Sequence, residues 1–260
     1  MTVDLTLTVD AEADAVFSIA PAVGWVVEED LTLTGGDTPI AYREVLDAHG
    51  GRLHRATLPV GTVRLAYRAE VTSPECPAPS DEADAVRYLR PSRYAPSDEL
   101  AEKATELFGS TPARELVRRV PAWVFEHLEY VPGSSGPADT ALDTLRAREG
   151  VCRDYAHLTI GLLRAAGVPA RLASAYAPGL SPMDFHAVVE AFVEGRWEVV
   201  DATRLAPRPH LVRIATGRDA ADTAFLTTLS GATTLDDVEV TAVAHGALTA
   251  DDHSRAVLLR

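Results

Sequence analysis

Cysteine is scarce: the 260-residue chain has two, Cys76 and Cys152. Two thiols cannot build a disulfide framework or a cysteine-based zinc site. Long apolar runs are missing too, and none reaches the ~18 residues that a membrane-spanning helix needs. The N-terminus, Met1-Thr2-Val3-Asp4-Leu5, carries an acid early and no basic leader, so no signal peptide is expected. Positive charge is short: 24 Lys and Arg stand against 38 Asp and Glu, a net charge of −14. Such a chain repels nucleic acid and anionic membranes, and neither is an expected partner. The histidines His210, His245 and His253 show no metal-ligand spacing, so no metal or cofactor is expected. The expected setting is the cytoplasm, where a reactive thiol stays reduced.

What is present centres on the stretch from Arg148 to Leu158. Gly150 precedes Cys152, and Cys152 opens an apolar helical run through Ile160, Leu162 and Leu163. Gly167 and Pro169 stop that run. Cys152 is therefore predicted in the first turn of a core helix. Unpaired backbone N–H groups and the positive end of the helix dipole there favour a nucleophilic thiolate.

The remainder reads as α+β. Residues 1–75 alternate in the manner of half-buried strands, as in Val3, Leu5, Leu7 and Val9 and again from Thr62 to Val71, and predict a small antiparallel β-sandwich domain. Residues 76–96 open in a proline-rich run and read as a linker, with Cys76 a spare thiol. Residues 97–260 read as a catalytic domain, helices first and then an antiparallel sheet. Ser97 is the expected cap of one helix and Thr111-Pro112 begins the next, with Pro121 expected to bend or split it. Thr140 and Asp143 form a capping-box pattern for a third helix, which ends at Glu149. Strands are expected at 171–176, 185–193, 196–203, 211–215 and 238–244.

Glu194-Gly195 fits a two-residue hairpin turn. With that turn Val193 faces Arg196, Val188 faces Asp201 and His186 faces Thr203. His186 and Asp201 then project from one side as diagonal neighbours, with Cβ atoms ~7–8 Å apart. A three-residue turn would shift the register and separate their faces. Cys152, His186 and Asp201 supply what nucleophilic acyl chemistry needs: a thiolate, an imidazole to move the proton, and a carboxylate to orient the ring. Trp197 and Phe192 are candidates for drying the site.

Three blocks carry a resemblance: Gly150-Val151-Cys152-Arg153-Asp154-Tyr155-Ala156-His157-Leu158, then Asp184-Phe185-His186-Ala187, then Gly195-Arg196-Trp197 leading to Val200-Asp201-Ala202-Thr203-Arg204. In this order they resemble the bacterial transglutaminase-like superfamily. Tyr88 to Tyr94 and Gly217 to Asp222 also resemble members that carry an N-terminal β domain. The resemblance implies a papain-like α+β fold in which Cys152 is the nucleophile, His186 the general base and acid, and Asp201 the orienting carboxylate. That family includes peptidases, transglutaminases, deglycosylating enzymes and members with no known reaction, and its fold does not choose among them; the substrate expected here is a peptide or protein carrying an amide bond. No Asp/Asn-rich calcium loop is visible, which argues against calcium activation.

For the oxyanion, the Cys152 backbone N–H is one expected donor and Tyr130 a candidate for the second. His157 lies off the cysteine's helical face and reads as a buried histidine with a structural hydrogen bond. The function expected is thiol-dependent amide hydrolysis. The alternatives are acyl transfer to an amine, and a non-catalytic scaffold or binding module of the same fold.

Overall fold

A computed structural model of the chain describes residues 1–72 and 82–259. Cys76 lies outside them. The first elements are β1 (Thr2–Phe17), β2 (Val26–Gly35), β3 (Thr38–Pro39), β4 (Tyr42–Leu46), β5 (Arg52–Leu58) and β6 (Gly61–Thr72). The expected alternation in β1 is seen in full: Val3, Leu5, Leu7 and Val9 are buried, residues 10–12 are exposed, and Ala13, Ala15 and Phe17 are buried in the same phase. β5 and β6 run consecutively antiparallel to β1, His54–Leu58 along Phe17–Ala13 and Gly61–Arg68 along Val9–Thr2. The break between them falls opposite the exposed stretch of β1.

The helical layer follows: α1 (Glu82–Arg87), α2 (Ala101–Phe108), α3 (Ala113–His127), β7 (Glu129–Tyr130), α4 (Ala141–Ala147), β8 (Glu149–Gly150) and α5 (Cys152–Ala165). α2 starts later than Ser97 suggests, because the backbone at 96–100 makes turn-type bonds such as Glu99 N–H to Pro96 C=O before the helical ladder begins. Pro121 does not split α3, which runs unbroken from Ala113 to His127. α4 has its capping bond, Thr140 N–H to Asp143 Oδ2 at 2.9 Å, and ends where Arg148 turns to φ 59°. α1 and the buried Tyr88 and Ala95 lie within the stretch read as a linker, so its described part is packed.

The last elements are β9 (Ala170–Tyr176), β10 (Phe185–Val193), β11 (Arg196–Val200), β12 (Val212–Gly217), α6 (Ala220–Thr223) and β13 (Leu226–Thr241). Four of these strands make a sheet in the order β11-β10-β9-β12, and α5 packs on it. Its core joins Leu158, Leu162 and Leu163 of α5 to Leu172, Val189, Ala191 and Val200 of the sheet.

β13 departs from the expected boundary. It leaves the second layer and pairs with β1 from Phe17↔Leu226 to Thr2↔Thr241, completing a seven-stranded sheet. By hydrogen bonding the strand-rich N-terminal region is thus one continuous antiparallel sheet that includes a C-terminal strand. The core beneath it also takes in Tyr176 from β9 and Val212 and Ile214 from β12. Tyr176 Oη donates to Ile19 C=O at 2.7 Å, a bond that ties the two sheets directly.

Candidate active site

α5 begins at Cys152 because the chain before it folds into a cap. Val151 is extended, and its N–H donates to Asp154 Oδ2 at 2.8 Å. Ser135 Oγ donates to the same oxygen at 2.5 Å. The carboxylate sits in the helix's first turn, where it satisfies an orphan N–H and complements the dipole. Gly150 is required by this fold-back: a Cβ there would lie 2.6 Å from Asp154 Cβ. Arg153 reaches outward instead, its Nη2 donating to Gly136 C=O at 2.7 Å and to Ser135 Oγ at 3.2 Å.

Tyr130 is delivered by a two-residue parallel bridge, in which β7 pairs with β8 and Tyr130 lies opposite Gly150. Its phenol interacts with both the backbone and the side chain of Cys152. Burial first, and the neighbouring thiol second, push that phenol up to about 12. The candidate chosen from sequence is therefore next to the sulfur, half-exposed and protonated at neutral pH.

The hairpin has the expected register. Val193 pairs with Arg196 and Val189 with Val200, and Glu194 and Gly195 both take positive φ, 51° and 80°. β11 ends at Val200, so Asp201 and Thr203 lie just beyond the ladder. His186 Nε2 is 2.8 Å from Asp201 Oδ2, and both side chains are buried. The carboxylate can only accept, so Nε2 carries the proton. Asp201 Oδ1 accepts from Thr203 N–H at 2.8 Å and from Thr203 Oγ1 at 2.7 Å. Thr203, opposite His186 in the expected register, thus holds the orienting carboxylate through two bonds. The other ring nitrogen, His186 Nδ1, is buried without a tight hydrogen-bond partner among the described residues.

Burial would depress the His186 pKa, but the Asp201 charge and hydrogen bond, with a further contribution from Cys152, raise it to about 10. Burial works in the opposite sense on Asp201, yet the imidazole and Thr203 hold its carboxyl below the usual range. The pair is thus an imidazolium backed by a carboxylate at neutral pH.

Cys152 and His186 line one cavity of about 690 Å³ with Ser18, Arg153, Ser174, Asp184, Phe185 and Phe225. Trp197 and Phe192 are not among its walls. Trp197 instead lies under the Arg171 guanidinium at 4.0 Å and edge-on to Tyr88. A second cavity, about 710 Å³, lies between Trp25, Glu70, His210 and His245, away from the thiol.

His157 is fully buried and accepts from Ala220 N–H at 3.1 Å. Tyr94 stacks on it at 5.2 Å, and Tyr94 N–H donates to Asp219. The outlying blocks at 88–94 and 217–222 therefore meet around this histidine. Arg164 of α5 clamps them together through Arg90 C=O, Ser92 Oγ and Arg218 C=O.

Residues 98–202, which span Cys152, His186 and Asp201, match the transglutaminase-like superfamily. A crystal structure of a "putative cysteine protease" from Cytophaga hutchinsonii is 33% identical, covers 95% of this chain and 91% of its own, and superposes with a TM-score of 0.85. An uncharacterised protein of Mycobacterium leprae is 31% identical over 172 residues, 60% of this chain and 61% of that relative's length. The molecule is thus an α+β protein with a transglutaminase-like fold. The chain belongs to the transglutaminase-like superfamily.

Proposed function

We propose that the protein is a thiol-dependent amide hydrolase working through an acyl-enzyme, in the cytoplasm, on a peptide or protein. The observation that carries this reading is the cysteine at a helix mouth facing a buried histidine that is itself hydrogen-bonded to a carboxylate at 2.8 Å. The Cytophaga hutchinsonii structure, described as a putative cysteine protease, supports the same reaction class.

In the first half-reaction the Cys152 thiolate attacks the amide carbonyl and the C–S bond forms. The oxyanion lies at the N-terminus of α5, where the Cys152 N–H and the Tyr130 hydroxyl are the donors. His186 gives its proton to the leaving nitrogen, the C–N bond breaks, and a thioester remains. In the second half-reaction neutral His186 takes a proton from water, the hydroxide equivalent attacks, and the C–S bond breaks to release the acid. Asp201 holds the ring by its Nε2–H throughout and stabilises its charge.

The test has two parts. Iodoacetamide is expected to alkylate wild-type Cys152 at least about tenfold faster than a free cysteine peptide at pH 7, an excess that His186→Ala removes. Incubation with cell-derived peptides is expected to leave a thioester on Cys152 detectable by intact mass, absent in Cys152→Ala. An ordinary alkylation rate indifferent to His186 defeats the reading and favours a scaffold. Accumulation of an amine adduct in preference to the free acid replaces hydrolysis by acyl transfer.

A further inference from the structure

The strand that leads into Asp201 lies at the edge of its sheet: among the described residues β11 pairs with β10 alone. Val199, two residues before Asp201, has both backbone groups bonded outside that ladder. Its N–H donates to Val257 C=O and its C=O accepts from Arg208 Nη1, each at 2.8 Å. The second bond closes a loop. Residues 199–208 leave the strand, carry Asp201 and Thr203, and return through the Arg208 guanidinium to the residue where they began. β11 ends at Val200 and no regular element follows before Arg208, so the loop has no ladder to hold it.

Arg208 is itself held firmly. It is 4% exposed, and Asp251 accepts from its Nε at 2.7 Å, its Nη2 at 2.9 Å and its backbone N–H at 3.1 Å. Nη2 also donates to Arg255 C=O at 3.1 Å. Burial alone would raise the Asp251 carboxyl, yet the Arg208 guanidinium and the backbone N–H groups hold it well below the usual range. The segment that supplies Asp251 is pinned again further on, by Val257 C=O on Val199 and by Leu259 C=O, which accepts from Arg213 Nη2 at 3.0 Å. Asp201, Arg204, Arg208 and His253 border one gap of about 30 Å³, room for a single water. The segment therefore lies behind the carboxylate that faces His186.

We infer that residues 251–259 form a strap across the back of the site, and that Arg208, gripped by it, is a positioning residue that sets where Asp201 points. Its part in catalysis rests on the acyl-enzyme reading; its hold on Asp201 rests on the geometry and is tested without the thiol. A planar fork is what the place demands, since one side chain must reach the Asp251 carboxylate, Arg255 C=O and Val199 C=O together. An ammonium on a single stem does not span them. The bond from His186 Nε2 to Asp201 tolerates little drift before it weakens. A loosened loop lets the carboxylate move off the ring, and the buried imidazolium then loses the support that offsets its burial.

Carbon-13 NMR of the His186 ring Cε1 against pH reads the imidazole directly, with His186→Gln to assign the signal. Two variants leave the net charge unchanged, so a shift reports geometry and not a lost charge. One is Arg208→Lys. The other joins Arg208→Met to Asp251→Leu, which removes both charges together and leaves neither buried alone. In each the His186 midpoint is expected to fall by about one unit or more, tenfold in its protonation equilibrium. In an Asp201→Asn background the same changes are expected to move it no further. Leu5→Ala, a packing loss in the other sheet, is expected to lower the urea midpoint and leave the His186 midpoint in place. A His186 midpoint unchanged or raised in the Arg208 variants overturns the strap, however much stability they lose. So does a fall that persists in full without the Asp201 carboxylate. Should Arg208→Lys fail to fold, the paired variant decides. A wild-type iodoacetamide rate without the His186-dependent excess sinks the acyl-enzyme reading and leaves the NMR result standing, so the two failures are told apart.

Discussion

Two histidines in this layer are buried to a similar degree and end in opposite states. His186 is raised to about 10, and His157 is lowered to about 3. Burial comes first among the causes for both, and for both it acts downward. The difference is the partner on the ring. His186 Nε2 faces the Asp201 carboxylate at 2.8 Å. His157 Nε2 faces a backbone N–H, from Ala220, which requires the nitrogen to be unprotonated. Asp219 raises His157 through space, but Arg153 and Arg164 oppose it and burial dominates. A directly bonded carboxylate therefore makes a proton donor at neutral pH, while a backbone donor makes a structural joint.

The largest expected effect breaks this contrast. Asp201→Asn removes the charge that offsets burial, so His186 should fall below its ordinary value and lose its proton at neutral pH. We expect kcat/KM to drop by about 10³–10⁴, the scale set by loss of an orienting carboxylate. In the wild type, activity should fall as pH rises toward about 10, where the imidazolium loses its proton. In the variant that alkaline limb should move down by several units. An unshifted pH profile would mean that Asp201 does not set the charge of His186.

His157 sharpens the comparison from the other side. Its folded pKa lies below the ordinary 6.5, so between 6.5 and about 3 the unfolded chain binds the proton and the folded one does not. Stability is lost as pH falls through that window. At pH 5 the loss from this one group is about 2 kcal/mol. For His186 the sign reverses, and stability is lost as pH rises from 6.5 toward about 10. His157→Gln keeps an acceptor for Ala220 N–H and cannot titrate. Urea midpoints at pH 7 and pH 5 should therefore differ less in the variant than in the wild type. Equal acid sensitivity in both would mean that His157 is charged in the folded state.

The chemistry of these sites was partly legible in the residues. Gly150-Val151-Cys152 before an apolar helical run placed the thiol correctly, because glycine and extended backbone mark a helix start. The pairing of His186 with Asp201 followed from one turn: Glu194-Gly195 admits two positive-φ residues, and that fixes the parity of every residue beyond it. Of β13 only the end, from Val238, was legible. Leu226 to Thr241 is rich in threonine and mostly exposed, so burial imposes no alternation on it. Its partner, β1, lies at the other end of the chain. Ser18 was invisible for the same reason, since its place in the cavity comes from contacts between the two sheets. Trp197 illustrates the reverse error: an aromatic on the right hairpin points away from the thiol because Arg171 and Tyr88 fill its other side.

Thr203 gives the smallest expected effect and the finest test. Its Oγ1 donates to Asp201 Oδ1 at 2.7 Å and lies 3.5 Å from His186 Nε2, while its N–H independently donates to the same Oδ1. Thr203→Val preserves shape and the backbone bond and deletes one of the two donors. A hydrogen bond to a charged group is worth about 1.5–3 kcal/mol, so a loss near the low end corresponds to about tenfold. That loss should fall on kcat rather than KM, since the hydroxyl acts on the carboxylate and not on the substrate. Thr203→Ser should restore it. With its carboxylate less firmly held, the imidazole of the valine variant should also lose its proton at lower pH, though by far less than in Asp201→Asn. A valine variant with unchanged kcat and an unchanged alkaline limb would show that the backbone N–H alone orients Asp201, and that the histidine contrast depends on the carboxylate's presence and not on how it is gripped.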